Sequence, residues 1–131
     1  MSETLKTILY AEDEADIREI VKIALEDLGG FEIYYCANGY EAIEAAKKNS
    51  FDLILLDVMM PEIDGPSTLR EIRRIPQYED TPAVFMTAKI QPKELAEYKA
   101  MGVLDVINKP FDPMLLADTL KTIWTKSEKI V

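Results

Sequence analysis

Residues able to do chemistry recur in this chain at one kind of place, just beyond a short apolar run. Thr7 to Ala11 leads into Glu12 and Asp13, Leu53 to Leu56 into Asp57, Ala83 to Met86 into Thr87, and Val103 to Ile107 is closely followed by Lys109. If these places converge, the carboxylates of Glu12, Asp13 and Asp57 repel one another, and some are pushed toward protonation unless a cation sits among them. A divalent ion resolves the conflict. Oxygen donors without His or Cys point to Mg²⁺, with Mn²⁺ also suited. A carboxylate such as Asp57 can then attack phosphorus to give an aspartyl phosphate, while the Lys109 ammonium and the Thr87 hydroxyl stabilise charge on the transferring oxygens.

Each residue also has a plainer explanation. Glu12, Asp13, Glu14 and Asp16 are acids of the kind favoured in the first turn of a helix, and Asp57, Thr87 and Lys109-Pro110 all suit turns or caps. Singly, each signal is weak. Their joint placement after four separate runs is another matter, because nothing about stability demands it.

The elements that must position these residues can be read from periodicity. A fifth run, Glu32 to Ala37, completes a set of strand-length segments, and Ile54-Leu55-Leu56 and Val84-Phe85-Met86 are apolar without alternation, as in strands covered on both faces. Between them lie segments with three- and four-residue apolar spacing. Ile17, Ile20/Val21, Ala24 and Leu28 form one helical stripe, stopped by Gly29-Gly30; a second helix starts at Asn38 as its cap and carries Ile43 and Ala46. A third begins at about Ser67 with Leu69, Ile72 and Arg73 and ends before Pro76; a fourth runs from Pro92 to Met101 with Gly102 as its stop; a fifth, from Pro113, carries Leu116, Leu120 and Ile123. The order is strand–helix five times over. The right-handed crossover rule then favours a doubly wound α/β fold, a flavodoxin-like (βα)5 sheet of five parallel strands in the order 2-1-3-4-5. Ligands bind such sheets beyond the carboxyl ends of the strands, where the chain order reverses, and the residues named above sit there.

The chain has 131 residues, enough for one domain with its own core, expected over about residues 6 to 126. A net charge of −9 with no basic stripe argues against direct nucleic-acid binding, and the absence of His removes His-based general bases, His-ligated zinc and a phosphohistidine carrier role. Cys36 stands alone in a strand-like run, so no internal disulfide forms and burial is its expected fate. Neither a signal peptide nor an apolar stretch of spanning length is present, which reads as cytoplasmic with no membrane partner.

Four motifs in order then resemble one family over essentially the whole chain: the receiver domains of two-component response regulators, of the single-domain chemotaxis-regulator type. They are Ile8-Leu9-Tyr10-Ala11-Glu12-Asp13-Glu14, Phe51 to Pro61 with Asp64-Gly65, Thr87-Ala88 and Lys109-Pro110-Phe111. The resemblance implies that Asp57 accepts a phosphoryl group from a sensor histidine kinase or a histidine phosphotransfer protein. It also implies that Asp13, Asp57 and the backbone carbonyl of Met59 hold Mg²⁺, with Glu12 completing the pocket directly or through water. Thr87 and Lys109 would contact the phosphoryl oxygens, and the Lys109-Pro110 bond would be cis. Such a protein is a signalling switch rather than an enzyme, acting on a downstream protein target or relaying the phosphoryl group to another protein's His, as a monomer or a phosphorylation-dependent dimer.

Two positions depart from the family pattern. Where an aromatic ring usually swings inward with the Thr, this chain has Val106, so the response is expected to pass through the loop Ala88 to Gln91 and the fourth helix; Glu12 replaces the commoner Asp. Met59 and Lys89 would flank the attacking water and tune the lifetime of the phosphorylated state. The chain stops at Val131, shortly after the fifth helix, so no output domain is expected and output falls to surfaces that include Tyr98 and Lys99. Trp124 is expected in the core, and the kinase at the rim of the first helix near Ala15. A flavin carrier of this topology would want a Ser/Thr/Gly-rich loop where Glu12-Asp13-Glu14 stand, and a dehalogenase-type phosphatase would want an Asp at position 59. A non-phosphorylated pseudo-receiver acting as a scaffold is the remaining alternative.

Overall fold

The computed structural model describes residues 5–88 and 91–129. Its strands are β1 (Thr7–Ala11), β2 (Glu32–Cys36), β3 (Leu53–Asp57), β4 (Ala83–Thr87) and β5 (Val103–Asn108), paired in parallel in the order β2-β1-β3-β4-β5. The flavodoxin-like α/β architecture expected from the sequence is the one observed. The helices are α1 (Ala15–Val21, continued by a π-helical segment Lys22–Asp27), α2 (Gly39–Lys48), α3 (Gly65–Arg73), α4 (Pro92–Ala100) and α5 (Leu116–Lys129). Among the described residues no helix is long and apolar enough to cross a membrane.

The unalternating apolar runs are explained by a core on each face of the sheet. Leu9, Ile54, Leu56, Ala83 and Phe85 pack under Ala42, Ala45 and Ala46 of α2, Leu69 and Ile72 of α3, and Tyr98 of α4. Ile8, Tyr10, Leu53, Leu55, Val84 and Met86 face the other way, under Val21, Ala24 and Leu25 and under Leu116, Ala117, Leu120 and Ile123 of α5. Trp124 packs against this second cluster, and Cys36 is buried, both as expected. Burial pushes the Cys36 thiol up to about 12, with the Glu41 charge adding to the effect, so it stays protonated and inert.

Local hydrogen bonds set where the helices begin. Asn38 caps α2, its side chain accepting from the Glu41 N–H at 2.9 Å. The cap of α3 is Asp64, which accepts from the Ser67 N–H at 2.8 Å, so α3 starts two residues before the expected Ser67. Helix α5 begins later than Pro113, because Asp112 folds the chain into a turn first, its carboxylate accepting from the Met114 N–H at 2.9 Å.

The first helix departs most from expectation. Its second half is bonded i to i+5, as in Leu28 N–H to Ile23 O at 3.0 Å. A wider turn advances fewer degrees per residue, so the stripe that begins at Val21 continues through Ala24 and Leu25, while Ile20 and Leu28 face solvent. Gly29 then lets the chain pass α5 closely: a Cβ there would stand 2.7 Å from the Leu25 carbonyl oxygen and 2.9 Å from the Ala117 Cβ. Leu25→Ala is therefore expected to cost about 2–5 kcal/mol in urea unfolding. Leu28→Ala should stay within about 0.5 kcal/mol, and similar costs for both would contradict the π register.

Candidate functional site

Parallel pairing delivers four strand ends to one edge, and the loops that follow converge. Ala11 pairs with Leu56, Asp57 with Met86 and Thr87 with Asn108, so Glu12, Asp57, Thr87 and Lys109 all sit within a residue of a paired strand end. Backbone bonds continue the register past the strands: the Glu12 N–H donates to Cys36 O at 3.0 Å, Val58 N–H to Met86 O at 2.9 Å and Lys109 N–H to Thr87 O at 2.8 Å. Gly65 closes the loop after Asp57, because a Cβ there would come within 2.5 Å of the Asp57 carbonyl oxygen. The Lys109-Pro110 bond is cis, as the sequence motif leads one to expect.

The side chains meet. Glu12, Asp13 and Asp57 each offer a carboxylate oxygen, and these oxygens all lie within 4.8 Å of one another. Lys109 Nζ donates to Glu12 Oε1 at 2.5 Å and lies 3.2 Å from Asp57 Oδ2. Glu12, Asp57 and Thr87 are buried, whereas Asp13 is exposed. Asp13, Asp57, Met59 and Lys109 line a cavity of about 380 Å³ together with Glu14, Ile17, Ala88 and Pro110. Met59 is highly exposed at its rim. Lys89 lies outside the described residues.

Burial dominates the electrostatics. Desolvation pushes the Glu12 carboxyl up to about 7, the Asp57 charge pushes the same way, and the bond from Lys109 offsets only part of this. Burial also acts to lower the Lys109 pKa, but Glu12 and Asp57 outweigh it, so the ammonium is held above its ordinary range. Among the described residues, Lys109 pairs with Glu12 and Asp57 while Asp13 adds a further carboxylate, so negative charge is in excess in the cluster. The donor set therefore fits a hard cation bound through oxygen, with the exposed Asp13 side left open to water.

Some participants were not legible in the sequence. Arg18, six residues beyond Glu12 and one turn into α1, donates to the Glu12 carbonyl oxygen at 2.6 Å and so anchors the acidic segment. The Glu14 N–H donates to Glu12 Oε2 at 3.3 Å, fixing the carboxylate that Lys109 grips from the other side. Neither contact has a spacing signal. Tyr98, expected on an output surface, is instead buried against Phe85, ring centroids 4.9 Å apart and planes at 82°, with its hydroxyl donating to Glu94 Oε2 at 3.1 Å.

The model of the response regulator receiver domain matches residues 8–121. The chain belongs to that family. The receiver is 35% identical to the chemotaxis response regulator CheY4 of Vibrio cholerae, with a TM-score of 0.84 over 92% of this chain and 99% of that one. A Francisella response regulator receiver domain gives a TM-score of 0.81 at 27% identity, over 93% and 98% of the two chains. Among curated relatives, the transcriptional regulatory protein SrrA of Staphylococcus aureus is 36% identical over 92% of this chain and 48% of its own length. A probable transcriptional regulator of Porphyra purpurea, ycf29, is 34% identical over 88% and 55%. The chain thus spans about half the length of the curated relatives it matches. Receiver domains serve phosphorylation-based signalling and are not a typical enzyme family, and this one carries an acidic pocket able to bind a metal.

The raised Glu12 pKa has a consequence for the metal-free receiver. Its folded state binds a proton more tightly than its unfolded state, so the group's stabilising contribution is complete below the unfolded value and is lost as pH rises through about 7. The melting temperature without metal is expected to fall by a few degrees between pH 5 and pH 8, more steeply than in Glu12→Gln. Parallel curves for the two proteins would mean that Glu12 titrates as an ordinary surface carboxylate.

Proposed function

We propose that Asp57 is the phosphoacceptor of a phosphorylation switch. The observation that carries this reading is the Asp57 carboxylate itself, nearly buried at the end of β3, beside Lys109 and opening onto the acidic cavity. A carboxylate oxygen attacks phosphorus of a phosphohistidine on a sensor kinase or histidine phosphotransfer protein; the P–O bond forms as the P–N bond breaks, and the imidazole leaves with the electron pair. Lys109 is already within 3.2 Å of Asp57 Oδ2, so its ammonium can follow the charge from carboxylate to phosphoryl oxygen with little movement. Thr87, at the end of the neighbouring strand, supplies a hydroxyl donor to the same group.

Mg²⁺, or Mn²⁺ in its place, would be held by Asp13, Asp57 and the Met59 carbonyl with Glu12 direct or through water, and when bound it neutralises the carboxylates and the incoming phosphoryl oxygens. The chain's own contribution is placement. The sheet fixes Asp57 and Lys109 before any donor arrives, so the covalent step needs little reorganisation. Transfer reaches this receiver through protein contact with the kinase at the rim of α1 near Ala15 and the loop after Asp57. Output passes to a downstream protein, and an acidic chain of this kind is suited to protein partners rather than to nucleic acid, in the cytoplasm.

The response follows from packing. Thr87 drawn toward a phosphoryl group pulls the end of β4, and the Phe85–Tyr98 ring contact links that strand to α4. Val106 packs against the same cluster and has no ring to swing, which leaves α4 as the element that moves. The surface offered there is Lys99 and the exposed side of α5, without Tyr98.

Incubation with acetyl phosphate and Mg²⁺, followed by intact mass, is expected to add one phosphoryl group, and chelation of the metal to prevent it. Asp57→Asn should remain folded and unlabelled; a variant labelled as well as the wild type would remove Asp57 from the reaction. Met59 is an exposed apolar side chain lining the cavity, and on this reading it flanks the path of an attacking water. Met59→Asn is therefore expected to shorten the lifetime of the phosphorylated form severalfold, and unchanged decay would dispose of a role for Met59.

A further inference from the structure

A second cavity, about 490 Å³, lies between β2, α2 and Glu62 of the loop after β3, and shares no lining residue with the acidic pocket. Tyr34, Tyr40, Glu41, Glu44, Lys48 and Glu62 line it. Tyr34 and Tyr40 are about half exposed, at 48% and 53%, although neither belongs to a core cluster that would require a ring at its position. The walls are preset. Tyr34 is braced edge-on by Phe51, with centroids 5.9 Å apart. Glu41 Oε1 accepts from the Ala37 N–H at 2.9 Å, which holds its side chain against the start of α2. Strand β2 is also the outermost of the sheet, paired among the described residues with β1 only, so an extended segment can lie along it.

Charge selects the occupant. Glu41, Glu44 and Glu62 outnumber Lys48 in this groove; Glu44 also pairs with Lys47 at 3.2 Å, an exposed contact that a stacked guanidinium can displace, so the groove stays net negative on a chain of net charge −9. A phosphate-bearing or acidic ligand is repelled, and two copies of this same acidic groove disfavour facing one another. Aromatic faces beside carboxylates suit a planar cation that can stack and donate several hydrogen bonds at once, which is the chemistry of arginine more than of lysine. We propose that this groove docks an extended, arginine-bearing peptide segment of a partner protein, with guanidinium groups stacked on the tyrosine rings and donating to Glu44 and Glu62. The proposal does not depend on phosphorylation of Asp57.

The test is an amide-shift titration of the ¹⁵N-labelled full chain with a blocked hexapeptide of alternating Gly and Arg, beside its Lys and Glu counterparts. The Arg peptide is expected to move the signals of Tyr34, Tyr40, Glu44 and Glu62 first, to bind more tightly than the Lys peptide, and to weaken with added salt. Tyr40 projects into water, so Tyr40→Ala keeps the fold and should lower affinity roughly threefold to fivefold, in line with one exposed cation–π contact. Glu44→Gln supplies an independent reduction. Shifts spread evenly over every acidic face, equal binding of the Arg and Lys peptides, or binding centred on Asp13 and Asp57 would each overturn the assignment.

Discussion

Carboxylates held close together at the edge of a sheet are the constraint on which the rest of this structure depends. Glu12 and Asp57 are both buried and Asp13 stands beside them, and burial together with the Asp57 charge disfavours the charged form of Glu12. Among the described residues the opposing cation is Lys109, which grips Glu12 and approaches Asp57. Removing one member of a buried charge set typically costs about 3–5 kcal/mol, because the charge left behind has no compensation. A fold tolerates such a cluster only if other parts of it supply the stability. The two cores do this, with aliphatic side chains packed on both faces of all three central strands.

Precision of placement comes from the same cores. A parallel sheet covered on both faces cannot slip by a residue without exchanging its two hydrophobic sets, so register is strongly specified here. Because β1, β3, β4 and β5 are locked in this way, their ends are locked too, and short backbone bonds from Glu12, Val58 and Lys109 carry that order one residue further. Gly65 and the Asp64 cap then fold the loop after β3 back onto Asp57, where any larger residue would meet its carbonyl oxygen. Charge that is unfavourable in itself thus becomes an oriented donor set able to hold a metal ion.

What could be read from the sequence follows the same division. Strands covered on both faces announce themselves as unbroken apolar runs, and a site built at strand ends is then found by reading the next residue; Glu12, Asp57, Thr87 and Lys109 emerge in this way. Asp13 follows directly after Glu12 by the same reading, and the family resemblance adds the Met59 carbonyl. What stayed hidden depends on rotation and reach rather than on type. Leu25 and Leu28 are the same residue in the same helix, and only the π-helical turn decides which is inside. Arg18 reads as one more surface charge until its guanidinium is seen on the Glu12 carbonyl. Asp64 and Ser67 are both good caps, and the choice between them rests on which N–H groups the chain leaves unpaired.

Tyr98 carries that lesson into how the molecule would respond. An aromatic residue on a helix expected to face outward is easily taken for a contact residue, yet this ring stands edge-on to Phe85, two residues before Thr87 on the same strand. A close-packed interior transmits displacement, because a void opened beside a ring forfeits dispersion contacts that no neighbour restores. A strand end drawn toward the pocket must therefore take Phe85 with it or leave a gap beneath Tyr98. Val106 packs against the same cluster and brings no ring to it, so under the proposed switch the core stays closed only if α4 follows the strand end through Tyr98.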